Sequence, residues 1–238
     1  MKKLLLFITI LLLVSGCSKN SNELIMVTEA GFAPYEYYKD GEIVGVDVDI
    51  ANEIAKELGK ELVIKDIAFD SIVNEVKTGK ADFGAAGISY SEERAENVDF
   101  SNDYSVSRQV AVVRENTYKT INEIKSKKIA VQLGSIGDTY VSKNFKDADV
   151  IRQKKYLAAA EDLKASKVDA IVMDELPAKQ IIANNDGLVI INEEITSDSY
   201  GMIVKKGNKE LLDAINKVIG KLKSEGKIDE FVLNHTEE

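Results

Sequence analysis

The chain is short of the residues from which several kinds of site are made. In 238 residues it has one cysteine, Cys17, and one histidine, His235. A single cysteine excludes a disulfide within the chain. So small a supply of thiol and imidazole also leaves little from which to build a zinc centre, and no metal site is expected. A Ser-His or Cys-His nucleophile would have to recruit His235, close to the end of the sequence, where chains usually fray. Two prolines and no low-complexity stretch leave no flexible linker between domains. Basic residues are in deficit, 31 against 40 acidic for a net charge of −9. That excludes a general nucleic-acid binder, which needs a basic face to neutralise phosphates. What the chain does have is 45% hydrophobic and 30% charged residues, the balance of a packed core rather than of disorder. Its length admits one large domain or two small ones.

Lys2 and Lys3 precede an apolar run, Leu4–Val14. The run is too short to span a bilayer, which takes about 20 residues. A basic start, a short apolar stretch and small residues before a cut describe a secretory signal peptide over residues 1–16. The alternative is a buried N-terminal element, against which the polar spacer Ser18–Asn22 argues. Cys17 closes the string LVSGC (Leu13–Cys17), which resembles a bacterial lipobox. That resemblance implies cleavage before Cys17 and lipid on its sulfur, so residues 17–22 would be a lipidated tether to a membrane surface.

The body alternates strand and helix patterns, the signature of an α/β fold. Leu24–Val27 is a short apolar strand. Asp47 caps a helix with the inward stripe Ile50, Ala51, Ile54, Ala55 and Leu58, ending at Gly59. Leu62–Ile64 is the next strand, Asp70 caps a helix that buries Ile72, Val73 and Val76, and Ala81–Ala86 is a buried strand. The order then recurs, with strand Ile129–Val131, helix Ile136–Asn144, strand Val150–Ile151, helix Leu157–Ala165 and strand Val168–Met173. VKTGKADFGAA (Val76–Ala86) aligns without a gap on LKASKVDAIVM (Leu163–Met173). If that match is more than a coincidence of two helix-strand units, Gly87 and Asp174 are equivalent. Each then sits at the carboxyl end of its strand, where open α/β sheets bind ligands. Val110–Val113 and Met202–Val204 read as apolar segments linking the halves. An amphipathic helix follows from Asn208, with Leu211, Leu212, Ile215, Val218, Ile219 and Leu222 inward, and a shorter one covers Ile228–Leu233. The bare pattern lets the last helices return to either half.

Only four basic residues are arginine: Arg94, Arg108, Arg114 and Arg152. Where lysine predominates, an arginine points to a need for a planar, bidentate donor. Arg94 falls in AAGISYSEER (Ala85–Arg94), past a buried strand, with Ser91 placed to cap a short helix. A carboxylate near Ser89 and Arg94 would meet a fork of two hydrogen bonds; the bland reading is a surface arginine among Glu92, Glu93 and Glu96. Asp174 is either an acceptor for an ammonium or a helix cap ahead of Pro177. LGSIG (Leu133–Gly137) is a strand-to-helix turn whose exposed amides favour an anion, though many such turns bind nothing. Phe32, Tyr35 and Phe69 are aromatics in loops or at helix starts, suited to a pocket wall or to the core. Glu29 leaves the first strand and reads by default as a solvated acid.

Taken in series, the motifs resemble the polar amino-acid-binding branch of bacterial extracellular solute-binding proteins, family 3, the capture subunits of ABC importers. They are TEAGFAPYEY (Thr28–Tyr37), GVDVDI (Gly45–Ile50), FDSIV (Phe69–Val73), AAGISYSEERAENVDFS (Ala85–Ser101), LGS (Leu133–Ser135), VDAIVMDE (Val168–Glu175) and YGMIVKKG (Tyr200–Gly207). The resemblance runs from Glu23 to about Val232. It implies a two-lobed, type II periplasmic-binding-protein-like fold in which two α/β lobes are joined by two hinge strands. Lobe 1 would hold residues 23–104 and 201–238, lobe 2 residues 109–195, and the hinge residues 105–108 and 196–200. The ligand contacts it implies are Arg94 for an α-carboxylate, with Ser89 and the amides near Ser135 and Ile136. Asp174 and the Gly87 carbonyl would take an α-ammonium, Phe32 and Phe69 would sandwich the ligand, and Glu29 would face its side chain. Ile136 departs from the threonine that members often place there, removing a hydroxyl but not the amide. Ala86 likewise lacks the hydroxyl some members have.

A zwitterion is balanced by Arg94 and Asp174, leaving Glu29 over. An unpaired acid in a closing cleft is costly, so a polar or basic L-amino acid is the expected ligand, delivered to a membrane permease by a lipid-anchored, extracytoplasmic protein. No cofactor and no catalytic residue are expected, and a monomer is the default. The same fold also resembles cyclohexadienyl (arogenate or prephenate) dehydratases, in which Glu29, Asp174 or Glu175 would serve as general acid. Against this, Arg94 and an ammonium are expected to keep the cleft acids ionised. A ligand-sensing lipoprotein without transport is the remaining alternative.

Overall fold

The computed structural model describes residues 22–236. The signal peptide, Cys17 and nearly all of the tether lie outside the described residues. The chain opens with β1 (Glu23–Thr28) and a hairpin of β2 (Tyr37–Lys39) and β3 (Glu42–Val44). α1 (Val46–Leu58) buries Ile50, Ala51, Ile54 and Ala55 and stops at Gly59, which takes the left-handed conformation of a helix C-cap. Its start is set by Gly45 rather than by Asp47. Gly45 has φ +135°, and a Cβ there would lie 2.1 Å from the Tyr35 carbonyl oxygen, so no side chain fits. Asp47 sits inside the first turn, fully buried, and caps nothing.

β4 (Glu61–Asp66), α2 (Ile72–Lys77) and β5 (Phe83–Gly84) follow. Asp70 is not a cap either: it lies in a 3-10 turn, Phe69–Ser71, that leads into α2. β5 is shorter than the buried run Ala81–Ala86, because the chain turns away after Gly84 to begin the loop that carries Gly87 and Ser89. α3 (Glu92–Ala95) and β6 (Val98–Phe100) complete this part.

β7 (Ser105–Arg114) then carries the chain into a second sheet, followed by α4 (Ile121–Ile124), β8 (Lys128–Gln132), α5 (Ile136–Asn144), β9 (Asp149–Gln153), α6 (Tyr156–Lys164), β10 (Ala170–Asp174), α7 (Glu175–Ala183) and β11 (Leu188–Ile190). β12 (Thr196–Tyr200) pairs antiparallel with the first half of β7, with Tyr200 opposite Ser105. β13 (Ile203–Lys205), α8 (Lys209–Ser224) and α9 (Lys227–Thr236) finish the chain.

The first sheet has the order β4-β1-β5-β13-β6, with β1 parallel to β4 and β5 and β13 antiparallel to its neighbours. The second has the order β11-β7-β10-β8-β9, with β8 parallel to β9 and β10 and β7 antiparallel to β10. The apolar segments Val110–Val113 and Met202–Val204 are therefore not simple links: most of each belongs to an interior strand of its sheet, because continuous apolar runs are stable only with both faces covered. α8 settles the position of the chain's last part. Its stripe Leu211, Ile215, Val218, Ile219 and Leu222 is buried, it packs on α1, and α9 packs on both, so these helices cover the first sheet. Fully burying one such side chain contributes about 1.5–3 kcal/mol, which makes the stripe the main anchor of the C-terminal part.

The two lobes touch through aromatic rings. Phe32 stacks on Tyr156 at 5.8 Å between centroids, while Tyr35 meets Tyr200, at the end of β12, edge to face at 5.0 Å.

Candidate functional site

The carboxyl ends of the parallel strands of both sheets converge on one cleft. Glu29 follows β1, the loop Ala86–Ser89 follows β5, Gln132 closes β8, and Asp174 closes β10. Their side chains and loops line one narrow pocket between the lobes. Glu29, Phe32, Phe69, Gly87, Ser89, Arg94, Ser135, Ile136 and Asp174 all line it.

Ser91 accepts from the Arg94 amide at 3.2 Å and so starts α3 where the sequence places it. The Arg94 side chain is not a surface group among glutamates. Its Nη1 donates to the Ser89 carbonyl at 2.6 Å, its Nη2 donates across the cleft to the Gly134 carbonyl at 2.9 Å, and the guanidinium lies 5.4 Å from the Phe69 ring centroid. Burial pushes its pKa down while Asp198 and Asp174 push it up; an arginine in such surroundings keeps its charge. The Ser89 hydroxyl donates to Asp198 on β12 at 2.7 Å, tying the β5 loop to the strand that returns from the second sheet.

Across the cleft, Ser135 is the N-cap of α5 and accepts from the Asp138 amide at 3.1 Å. Its own N–H is used within the turn, donating to Gln132 at 3.1 Å. The first amides of the helix, beginning with Ile136, have no intrahelical partner.

Asp174 is the last residue of β10 and the residue before α7, yet its carboxylate does not cap that helix. It accepts instead from the Ser107 hydroxyl at 2.7 Å and from the Tyr200 hydroxyl at 2.5 Å. Burial, and then the charge of Asp198, raise its pKa to about 6. Glu29 overturns its reading as a solvated acid, being only 1% exposed. It is not unpaired either: Lys155 Nζ, reaching over from the other lobe, lies 3.0 Å from one carboxylate oxygen, and Gln132 Nε2 donates to the other at 2.9 Å. Burial raises its pKa, against the pull of Lys155. At both positions burial is the largest influence on the carboxyl.

Gly87 has φ +52°, and a Cβ there would meet the Phe32 ring at 2.7 Å, so the loop can pass beneath the ring only as glycine. Its amide donates to buried Asp47 at 3.0 Å, the true role of the acid that the pattern assigned to a helix cap.

Sequence reasoning missed Glu36, Gln109, Gln132 and Tyr156, which also line the cavity. Gln132 was accessible to the rule that found Asp174, since it too ends a parallel strand. Glu36, Gln109, Lys155 and Asp198 carry no local signal. No group of three or more His, Cys, Asp or Glu able to hold a metal occurs among the described residues, and none of the described helices is long and apolar enough to cross a membrane.

Comparison with known proteins agrees with this architecture. Residues 24–237 match the family model described as bacterial extracellular solute-binding proteins, family 3. Residues 1–18, which include Cys17, match a prokaryotic membrane lipoprotein lipid attachment site, and together the two matches make the protein extracytoplasmic and lipid-anchored. A probable histidine-binding protein of Campylobacter jejuni is 32% identical over 87% of this chain and 82% of its own length. An L-cystine-binding protein of Escherichia coli is 29% identical over 88% of this chain and 81% of its own. Among solved structures, an amino-acid ABC transporter substrate-binding protein of Streptococcus pneumoniae bound to L-arginine is 34% identical, with a TM-score of 0.87 over 91% of this chain and 95% of that one. With its two α/β lobes, its cleft at their strand ends and these matches, the chain belongs to family 3 of the bacterial extracellular solute-binding proteins.

Proposed function

We propose that the protein captures a polar or basic L-amino acid outside the cytoplasm and hands it to the permease of an ABC importer. The observation that carries this reading is that Arg94 and Asp174, one charge of each sign, line the same small cavity from opposite lobes. An α-amino acid presents one group of each sign. In this reading Arg94, with Ser89 and the amides of the Ser135–Ile136 turn, of which that of Ile136 is free among the described residues, takes the α-carboxylate. Asp174 and the Gly87 carbonyl take the α-ammonium, Phe32 and Phe69 flank the ligand, and Glu29 meets its side chain. The names of the relatives, which cite histidine, cystine and arginine, support the same class.

The lobes divide at residues 105–108 and 196–200, where β7 and β12 run side by side between the sheets. Two paired strands bend together, so closure is a hinge motion that ligand contacts from both jaws stabilise. The protein works as a monomer, and the closed form is the one the permease engages.

The raised pKa values of Glu29 and Asp174 favour a second reading, a dehydratase-like enzyme, because a general acid needs a carboxyl that holds its proton. Calorimetry with the common amino acids and cystine, beside a prephenate turnover assay, separates the two. Binding of one or a few amino acids without turnover supports capture; turnover without amino-acid binding replaces it. Uptake by cells carrying or lacking the protein separates import from sensing.

A further inference from the structure

The side-chain end of the cleft is built around Glu29, and its surroundings are not those of a free anion. Lys155 Nζ stands 3.0 Å from Glu29 Oε1 and 3.3 Å from Asp66 Oδ2. Gln132 Nε2 donates both to Glu29 Oε2 at 2.9 Å and to the Lys154 carbonyl at 3.1 Å, which fixes the amide in place. Asp66 also accepts from the Ala30 amide at 2.9 Å and the Tyr38 hydroxyl at 3.3 Å, so its charge is shared outward, away from the cavity. The protein's own ammonium therefore occupies the place beside Glu29 that a ligand's cationic side chain would need. A guanidinium or ammonium brought to buried Glu29 would lie within a few ångströms of that like charge and be repelled by it.

The cavity's remaining polar atoms call for a different partner. Gln109 Oε1, the Tyr156 hydroxyl and both oxygens of Glu36 are buried and find no hydrogen-bond partner of ordinary geometry among the described residues. Burial, followed by the neighbouring Asp47, pushes the Glu36 carboxyl well above its usual range. Gln109 Oε1 offers an acceptor, and the Tyr156 hydroxyl offers a donor and an acceptor together. A purely donating cation answers only part of this set; a group with both N–H and C=O answers all of it.

We infer that Lys155 is a specificity-determining residue that disfavours cationic side chains, so that the cleft selects an L-amino acid whose side chain ends in an uncharged amide-type group. This rests on the amino-acid-binding reading and narrows it.

The test uses L-arginine and L-citrulline, which share a shape and differ in charge, with L-glutamine as a third ligand, titrated by calorimetry into the protein at low salt. The wild type is expected to bind citrulline at least tenfold more tightly than arginine and to bind glutamine measurably. In Lys155→Met, which keeps the aliphatic stem, the arginine-to-citrulline affinity ratio is expected to rise at least tenfold. Lys155→Arg is expected to keep the wild-type preference. Because closure enters both affinities alike, the ratio isolates the charge. A wild type that prefers arginine, or a ratio that Lys155→Met leaves unchanged, overturns the inference while leaving amino-acid capture standing. A wild type that binds no amino acid at all overturns both.

Discussion

Replacing Asp174 with asparagine should weaken the protein's hold on its ligand while making the free protein more stable. The carboxylate is 6% exposed, and burial with the Asp198 charge raises its pKa from 3.8 to about 6. At one pKa unit per 1.36 kcal/mol, keeping it ionised near neutral pH costs the free protein roughly 3 kcal/mol. The side-chain amide of Asp174→Asn would keep the acceptor that Ser107 and Tyr200 use and remove the buried charge. Recovering even half of that cost would add on the order of 1–2 kcal/mol, or about 2–8 °C in Tm for a chain of this size. The sign carries a pH signature. At pH 5 Asp174 is largely protonated in the folded chain but mostly ionised in the unfolded one, so the gain should be about half as large there as at pH 7.5. Ligand binding should move the other way. Stranding the ligand's ammonium opposite a neutral group costs about 2–5 kcal/mol, or roughly 30- to several-thousand-fold in Kd. Scanning calorimetry of the free variant at both pH values and titration calorimetry with the best wild-type ligand measure the two effects. Wild-type affinity in the variant, or a stability change of the same size at both pH values, would refute the reasoning.

Arg94→Ala should weaken amino-acid binding by about 2–5 kcal/mol, because it strands a carboxylate in the cleft; unchanged affinity in titration calorimetry would remove Arg94 from the site. The free protein's stability should fall as pH rises from 5 to 7. Asp47 and Asp174 both titrate at about 6 when folded but near 3.9 when unfolded, so over this range the folded chain holds protons that the unfolded chain has released. Urea midpoints at pH 5, 6 and 7 should decline in that order, and the slope should flatten in Asp47→Asn. Gly45→Ala should cost on the order of 3–5 kcal/mol, since φ +135° and a carbonyl oxygen 2.1 Å from the new Cβ leave the backbone no room; a thermal midpoint within 2 °C of wild type would show that the turn before α1 can move.

Local chemistry made much of the architecture legible. The stripes of α1 and α8 follow from their periodicity. Ser91, Asn208 and Gly59 act as caps where short-range hydrogen bonding puts them. The strand-turn-helix order places Gly87, Ser135 and Asp174 at strand ends, and in parallel sheets those ends face a common crevice. The local rules failed where two residues competed for one position at a helix start. Asp47 has the chemistry of a cap, but Gly45 alone fits the backbone two residues earlier, and the carboxylate turned inward to Gly87.

What an isolated sequence determined, then, were the elements, their order, their ends and the family signature, because all of these rest on interactions within a few residues or one helical turn. The surroundings of the acids were decided only in three dimensions. Glu29 meets Lys155, Ser89 meets Asp198, and Arg94 reaches Gly134 across the cleft. Each pair joins segments far apart in the chain, and a carboxylate's charge state depends on how much water that meeting excludes. Burial is a property of the assembled lobes and of no segment alone, which is why the protonation of the cleft and the choice of ligand belong to the tertiary structure.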